Sequence, residues 1–579
     1  MKKYLLVLVG LCCVLSYALA ERPDYPELKK SDANIIGHVL DKKTKEHLPY
    51  ITIALKGTTI GTVTDATGHY FLKNLPEGNF ILEVSSVGYK TVTRNVTLKK
   101  GKTLEEDFEI EEDAIALDGV VVSANRSETT RRMAPTLVNV VDLKLFETTN
   151  SSTLSQGLNF QPGVRVETNC QNCGFQQVRI NGLDGPYTQI LIDSRPVFSA
   201  LSGVYGLEQI PASMIERVEV MRGGGSALFG SSAIAGTINI ITKEPLRNSG
   251  QLSHTITSLG GSSSFDNNTS LNASLVTDDH RAGLYIFGQN RYRSGYDYDG
   301  DGFTELPKLK NQTVGFRSYL KTSTYSKLTF EYHHMQEFRR GGDMLNRPPH
   351  EAHIAEQLQH SIDGGSLKFD YFSPDEKNRL SVFASAANTD RDSYYGPGND
   401  PLKAYGKTTD LTAMGGAQYV HTFDKCFFMP SDLTAGLEYN RDRLKDNMWG
   451  YNRHTDQTVN IYSAFLQNEW KNDRWGILIG GRLDKHNMVD NVIFSPRANL
   501  RFNPTQNINL RLSYSSGFRA PQAFDEDMHI ENVGGTVAMI ERAKDLKEEK
   551  SQSFSVSADM YHRFGAFQTN LLIEGFYTR

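Results

Sequence analysis

The feature that most constrains this chain is a repeated one. From about residue 249 onward, runs of about ten residues alternate apolar and polar side chains, with short polar turns at one end and longer loops at the other. Alternation at period two gives a strand one face for each of two media. The runs at 311–321, 379–387, 460–471 and 508–515 and the turns at 277–280, 374–378 and 472–473 are examples. Short turns on one side and long loops on the other are the pattern of a transmembrane antiparallel β-barrel. A hydrophobic content of 39% and a mean hydropathy of −0.42 agree with this, because only every second barrel residue meets lipid.

About 15 such runs can be counted, whereas closed bacterial barrels need an even number and plugged transporters use about 22. The last run, 567–579, lacks a terminal aromatic residue. An unpaired strand edge in lipid costs on the order of several kcal/mol per backbone group. The expectation is a mainly β chain, its barrel incomplete at about 15 of 22 strands and truncated or frameshifted.

The start of the chain sets its route. Lys2 and Lys3 precede an apolar run at 5–14, and Ala18-Leu19-Ala20 resembles a cleavage site, so 1–20 reads as a signal peptide. That run is too short to span a bilayer, and no later stretch approaches the roughly 20 apolar residues of a membrane helix. Without a Cys at the cleavage point, ordinary secretion is expected rather than lipoprotein anchoring. A net charge of −5 is uninformative, but secretion argues against a nucleic-acid partner.

Residues 21–33 read as a polar linker, and 34–111 carry short β runs punctuated by turns, as in a small antiparallel sandwich. Within it Gly57-Thr58, Gly61-Thr62, Thr64-Asp65, Gly68, the run 75–78 and Val87-Gly88-Tyr89 resemble the carboxypeptidase regulatory-like domain. That domain is non-catalytic and often precedes receptors of Bacteroidetes-type bacteria.

The strongest motif runs from Ile215 through Glu216, Arg217, Glu219, Arg222, Gly223, Gly225 and Gly230 to Lys243. With Arg179 in 178–182 and the run 189–196, it closely resembles the plug of TonB-dependent outer-membrane receptors. The expected plug is 127–248 and the barrel 249–579. Glycines permit turns where a Cβ would clash. Arg217 and Arg222 are expected to pair with barrel-wall carboxylates, in contacts that water can replace. Taken singly, each of these residues also reads as an ordinary structural glycine or ion pair. The Gly-rich run lacks the Lys-Ser/Thr ending of a phosphate-binding loop.

Within the segment 112–126, Asp118, Gly119, Val120, Val121, Val122, Ser123 and Ala124 resemble a TonB box. Together with Asn125-Arg126 they are similar to the start of cobalamin receptors. Such a box adds a strand to a partner's sheet edge. The three valines suit extended structure, and the acidic run before them is expected to keep the box solvated; the plain alternative is a linker strand.

Candidate ligand residues are fewer. Phe518-Arg519-Ala520-Pro521, then Lys544-Asp545-Leu546, resemble the paired motifs of haem receptors, with His529 between them where a haem-ligating His would stand. The second motif departs from the pattern, and the plug contains no His for the opposite face. A solvated loop histidine is the plainer reading of His529. Cys170 and Cys173 form a C-x-x-C pair that can close a disulfide or hold a soft metal at a substrate-facing loop. His333, His334, Met335, Met344, His350, His353 and His360 offer imidazole and thioether donors suited to copper or zinc, or are scattered loop residues. Asp297, Asp299 and Asp301, followed by Gly302, resemble the start of a Ca²⁺ loop, with Glu305 as a further carboxylate. Lys308 stands where an EF-hand needs Glu, which excludes that fold; an ordinary acidic loop is the alternative.

The resemblance implies an outer-membrane receptor, with its N-terminal domain in the periplasm, that imports a small extracellular ligand with TonB and its partners ExbB and ExbD. Siderophore-iron or haem is the expected ligand class, with cobalamin or a transition metal next. No cofactor is required beyond the Ca²⁺ suggested for the acidic loop. A passive adhesin or structural barrel would have no use for the box. A barrel-borne enzyme would need a nucleophile or acid–base pair that the sequence does not offer.

Overall fold

The computed structural model describes residues 30–579 apart from 66, 87–88, 112–119, 128, 171, 197–205, 278–279, 398–404, 534–535, 544 and 565–566. The signal peptide, residues 21–29 of the linker, Asp118, Gly119 and Lys544 therefore lie outside the described residues.

The N-terminal unit packs two four-stranded sheets around Ile35, Val39, Ile53, Leu72, Val84 and Phe108. Its first strand, Lys30–Asp41, begins inside the segment read as linker, with Ala33 already buried. It pairs antiparallel with His69–Pro76 but parallel with Thr103–Glu105 and Phe108–Ile110. The sandwich is thus not purely antiparallel: the chain crosses over to the second sheet and returns beside its own start.

Next comes a four-stranded sheet in the spatial order Val138–Asp142, Ile215–Arg222, Gly236–Thr242 and Thr188–Ile192, the last pair parallel. A separate hairpin, Val164–Cys170 with Phe175–Ile180, stands beside it. Val218, Val220, Ile238 and Ile240 are fully buried and share a core with Val178 and Ile180.

The remainder is one sheet of fifteen strands in sequence order, from Ser249–Ser258 to Phe567–Thr578, each antiparallel to its neighbours. Among the described residues no ladder joins the first strand to the last. The sheet wraps around the plug with its polarity inverted. Arg291, Arg339, Arg391 and Arg501 point inward and are fully buried, while Leu437 and Leu466 point outward, 66% and 56% exposed. An apolar exterior over a charged interior is stable only where the outside medium is itself apolar. One rim carries tight turns such as 505–508 and 471–475. The other carries the long loops, including 293–308, 342–354 and 519–549.

Candidate functional site

Two places at the plug–barrel junction concentrate polar chemistry, one at each rim. At the short-turn rim, Val120–Val121 pairs with Thr129–Thr130. The next residues run under the plug sheet. Glu219, on the central strand Ile215–Arg222 and fully buried, accepts from the Val122 N–H and the Ser123 N–H, both at 2.9 Å, and from Ser123 Oγ at 2.7 Å. Its other oxygen accepts from Arg217 Nε at 3.0 Å, and Asn239 Nδ2 donates to Ser123 Oγ. The barrel wall completes the seat. Arg497 donates to Ala124 O, Gln467 to Asn125 O and Gln418 to Arg126 O, while Asn125 donates to Glu469. The second half of the box-like segment is therefore buried rather than solvated. Burial is tolerable because a carboxylate satisfies the N–H groups that an extended segment leaves unpaired.

Of the two arginines expected to pair with wall carboxylates, Arg222 pairs with Glu574 of the wall at 2.6 Å, and Arg217 makes ion pairs with its own neighbours Glu216 and Glu219. Arg179 likewise stays within the plug, on Glu167 and Asp184. Gly223 and Gly230 have φ of +85° and +84°, where a side chain is strained, and Gly230 lies against the Arg482 guanidinium. A Cβ on Gly225 would come within 2.9 Å of Thr237 Cγ2.

Sequence reasoning missed most of the junction. Arg126 and Arg482 share Glu438; Arg317 joins Asp193, Glu244 and Glu331; Glu208 of the plug takes Arg291, Arg293 and Arg339 of the wall. The available signal was charge at inward positions of alternating strands. A cavity of about 190 Å³ between plug and wall is lined by Gln177, Phe229, Arg482, Asp484, Gln522 and Phe524.

At the long-loop rim the tip of the plug hairpin meets the wall and a loop. Cys170 Sγ lies 3.2 Å from Glu356 Oε2, and Cys173 Sγ lies 3.4 Å from His529 Nε2, which is itself 3.4 Å from Glu356 Oε2. One donor atom from each of the four residues lies within 4.8 Å of every other. Phe175 and Tyr395 flank the imidazole, their ring centroids 5.4 and 5.3 Å from it. The His529 side chain is only 9% exposed, so it is neither a solvated loop histidine nor directed at a ligand outside. A hydrogen bond with Cys173, then one with His529, holds the Cys170 thiol down to about 7 against burial. Burial opposes charge on His529, but hydrogen bonds to Cys170 and Glu356 outweigh it and push it up to about 10. Cys170 and Cys173 are not joined in a disulfide.

The other histidines do not converge. His334 meets Asp363, His350 meets Tyr405, His353 meets Asp343 and His360 meets Glu337, while His333 lines a separate cavity between plug and wall. Asp297, Asp299 and Glu305 do approach one another, on an exposed loop. There Asp297 caps Gly300 and Gly302, and Asp301 turns away to Phe303 N. Arg519 lies over the Phe524 ring, 4.2 Å from its centroid.

Three family models match in sequence order: the CarboxypepD_reg-like domain over 35–122, the TonB-dependent receptor plug domain over 130–237, and the TonB-dependent receptor-like β-barrel over 237–579. The chain belongs to the TonB-dependent receptors, proteins of the outer membrane whose plug faces the periplasm; the family and fold are those of transport receptors, not enzymes. The short-turn rim is therefore periplasmic and the long-loop rim extracellular.

The siderophore receptor PirA of Acinetobacter baumannii has the same fold, with a TM-score of 0.66 at 18% identity over 77% of this chain and 71% of that one. The ferric enterobactin receptor PfeA of Pseudomonas aeruginosa follows with a TM-score of 0.62 at 18% identity over 75% and 70%. The vitamin B12 transporter BtuB of Vibrio vulnificus strain CMCP6 is 24% identical over 425 residues, 70% of this chain and 64% of the relative. That of strain YJ016 is 33% identical over 174 residues, 29% of this chain and 28% of the relative. The chain thus spans less than two thirds of the length of these two transporters.

Proposed function

We propose that this receptor imports a metal-bearing small ligand, with TonB drawing on the inner-membrane proton gradient through ExbB and ExbD. The observation that carries the reading is the seat of Val122 and Ser123 on Glu219, because it ties the segment proposed to meet TonB to the central strand of the plug. Ligand seated at the extracellular side would loosen that seat and release 118–124 to pair with a TonB sheet edge. Pulling on the segment would act on Glu219, and through its strand on the Arg222–Glu574 pair. Buried ion pairs suit a plug that must move, since water can replace each partner.

For the ligand, an iron chelate such as a ferric siderophore has the support of the structural neighbours, and a corrinoid that of the two relatives. Haem is less well served: the plug has no histidine, and His529 Nε2 is taken up by Cys173 and Glu356. A transition-metal ligand is favoured by a separate observation, the four donors at the plug tip. Growth of a receptor knockout, complemented with the full gene, on ferric siderophores, haem, cobalamin or limiting zinc tests the class. Deleting 118–124 should abolish the complemented growth while sparing surface binding. Full growth after the deletion would refute TonB coupling.

A further inference from the structure

We propose that Cys170, Cys173, Glu356 and His529 form a binding site for a thiophilic divalent ion of the zinc class, split between the plug and the barrel. This deepens the import reading and rests on it for the ion's role as cargo; the site itself stands on its own geometry.

Three separate parts of the chain contribute. The plug hairpin supplies both thiols, the barrel strand Ile354–Phe372 supplies Glu356, and the extracellular loop after Ile508–Arg519 supplies His529. Donors around a tetrahedral zinc ion, bound at about 2.0–2.3 Å, stand roughly 3.3–3.8 Å apart. Three of the six donor separations, 3.2, 3.4 and 3.4 Å, are close to that size, and all six fall within 4.8 Å. Two thiolates, one imidazole and one carboxylate make a soft, N/S-dominated set, which selects zinc or copper over magnesium, calcium or manganese. Cys173, Phe175, Tyr395, Met448 and Ile530 wall the site with apolar surface. Such a shell excludes water and strengthens the hold of anionic donors on a cation.

The seating of the hairpin tip is specific. Gly341 of the wall lies so close to Asn172 that a Cβ there would stand 1.8 Å from the Asn172 carbonyl oxygen. A disulfide-bonded C-x-x-C would need no such partner, and no imidazole and carboxylate turned toward it. Because two donors belong to the plug and two to the barrel and its loop, any displacement of the plug takes the site apart. An ion held there would keep its two thiolate ligands on the plug and lose the other two, so plug movement would strip half of its ligand set.

The test uses the full chain, purified in detergent under reducing conditions, titrated with Zn²⁺ and with Co²⁺ as a spectroscopic substitute. One ion per chain is expected, with sulfur-to-cobalt charge-transfer bands and tetrahedral d–d bands. Cys170→Ser with Cys173→Ser should remove the charge-transfer bands and weaken binding about 100-fold or more, and His529→Ala or Glu356→Gln by about 10-fold or more. Cys426→Ser, in a periplasmic turn, should change nothing. Should the double variant fail to fold, alkylation of the wild-type chain decides: Zn²⁺ should protect Cys170 and Cys173 and leave Cys426 reacting at its usual rate. Absence of the sulfur bands, unprotected thiols, or a Cys170–Cys173 disulfide in outer-membrane protein that binds no Zn²⁺ after reduction would overturn the site. Normal Zn²⁺ binding with uptake indifferent to deletion of 118–124 would instead sink the import reading and leave the site standing.

Discussion

Glu219 holds Ser123 by two hydrogen bonds, from the backbone N–H at 2.9 Å and from Oγ at 2.7 Å, across 96 residues of sequence. One carboxylate on the central plug strand thereby fixes the segment that leads out of the plug. Because both partners are buried, the contact is made in a low-dielectric site where loss of one member leaves the other unsatisfied.

The charge on Glu219 is what the seat depends on. Glu219→Gln presents an amide that accepts more weakly, and the change should cost about 1.5–3 kcal/mol locally. Ser123→Ala removes one of the three bonds to Glu219 and one acceptor of Asn239 Nδ2, which keeps Ser194 Oγ, and should cost about 1 kcal/mol. A spin label at position 122 should be mobile without ligand in the Gln variant and largely immobile in the Ala variant. Equal immobility in both would contradict the seat.

Glu438 neutralises two guanidiniums, those of Arg126 and Arg482, all three nearly buried. Glu438→Ala leaves both without that partner and is expected to destabilise the plug–barrel junction by about 3–5 kcal/mol. Arg126→Met leaves the Glu438–Arg482 pair intact and should cost less. Urea midpoints of the two variants in one detergent give the order, and reversal of that order would contradict the shared role of Glu438.

At the outer rim, Gly341→Ala puts a methyl into the Asn172 carbonyl. The hairpin tip must withdraw, carrying Cys170 and Cys173 from Glu356 and His529. Cobalt bands should weaken markedly while the barrel melts at an unchanged temperature. Unaltered bands would mean that the tip is not seated there.

The outward face reports on lipid. Leu466 projects from Arg453–Lys471 between Ala435 and Gly481 on the neighbouring strands. Leu466→Arg should destabilise the barrel by about 2–4 kcal/mol if the residue lies near the bilayer midplane, and Leu466→Phe hardly at all. The two midpoints of unfolding from vesicles settle this, and equal midpoints would place Leu466 away from lipid.

The barrel was legible because period-two alternation is local: the fifteen strands follow from runs that any ten residues display. The plug was legible because glycines at positive φ, such as Gly223 and Gly230, leave a fixed spacing. What joins plug to wall was not. Glu438 and Arg126 are 312 residues apart, and Cys173 and His529 are 356 apart. No periodicity carries information over such distances. His529 reads as a loop residue from its neighbours, and only the closed fold shows that its loop turns inward onto two thiols and a carboxylate. The box-like segment misled for a related reason. Its acidic approach predicts solvation, while Glu219, which buries it, lies on a strand nearly a hundred residues away.

In the proposed function, ligand crosses by energy-driven displacement of the plug. The most direct measurement is accumulation of labelled Zn²⁺, ferric siderophore, haem or cobalamin in the periplasm of cells carrying the complete receptor, with the proton gradient intact or collapsed by an uncoupler. One of these ligands should accumulate only with the gradient intact, and surface binding should survive its collapse. Accumulation of none of them, or accumulation indifferent to the uncoupler, would contradict the account.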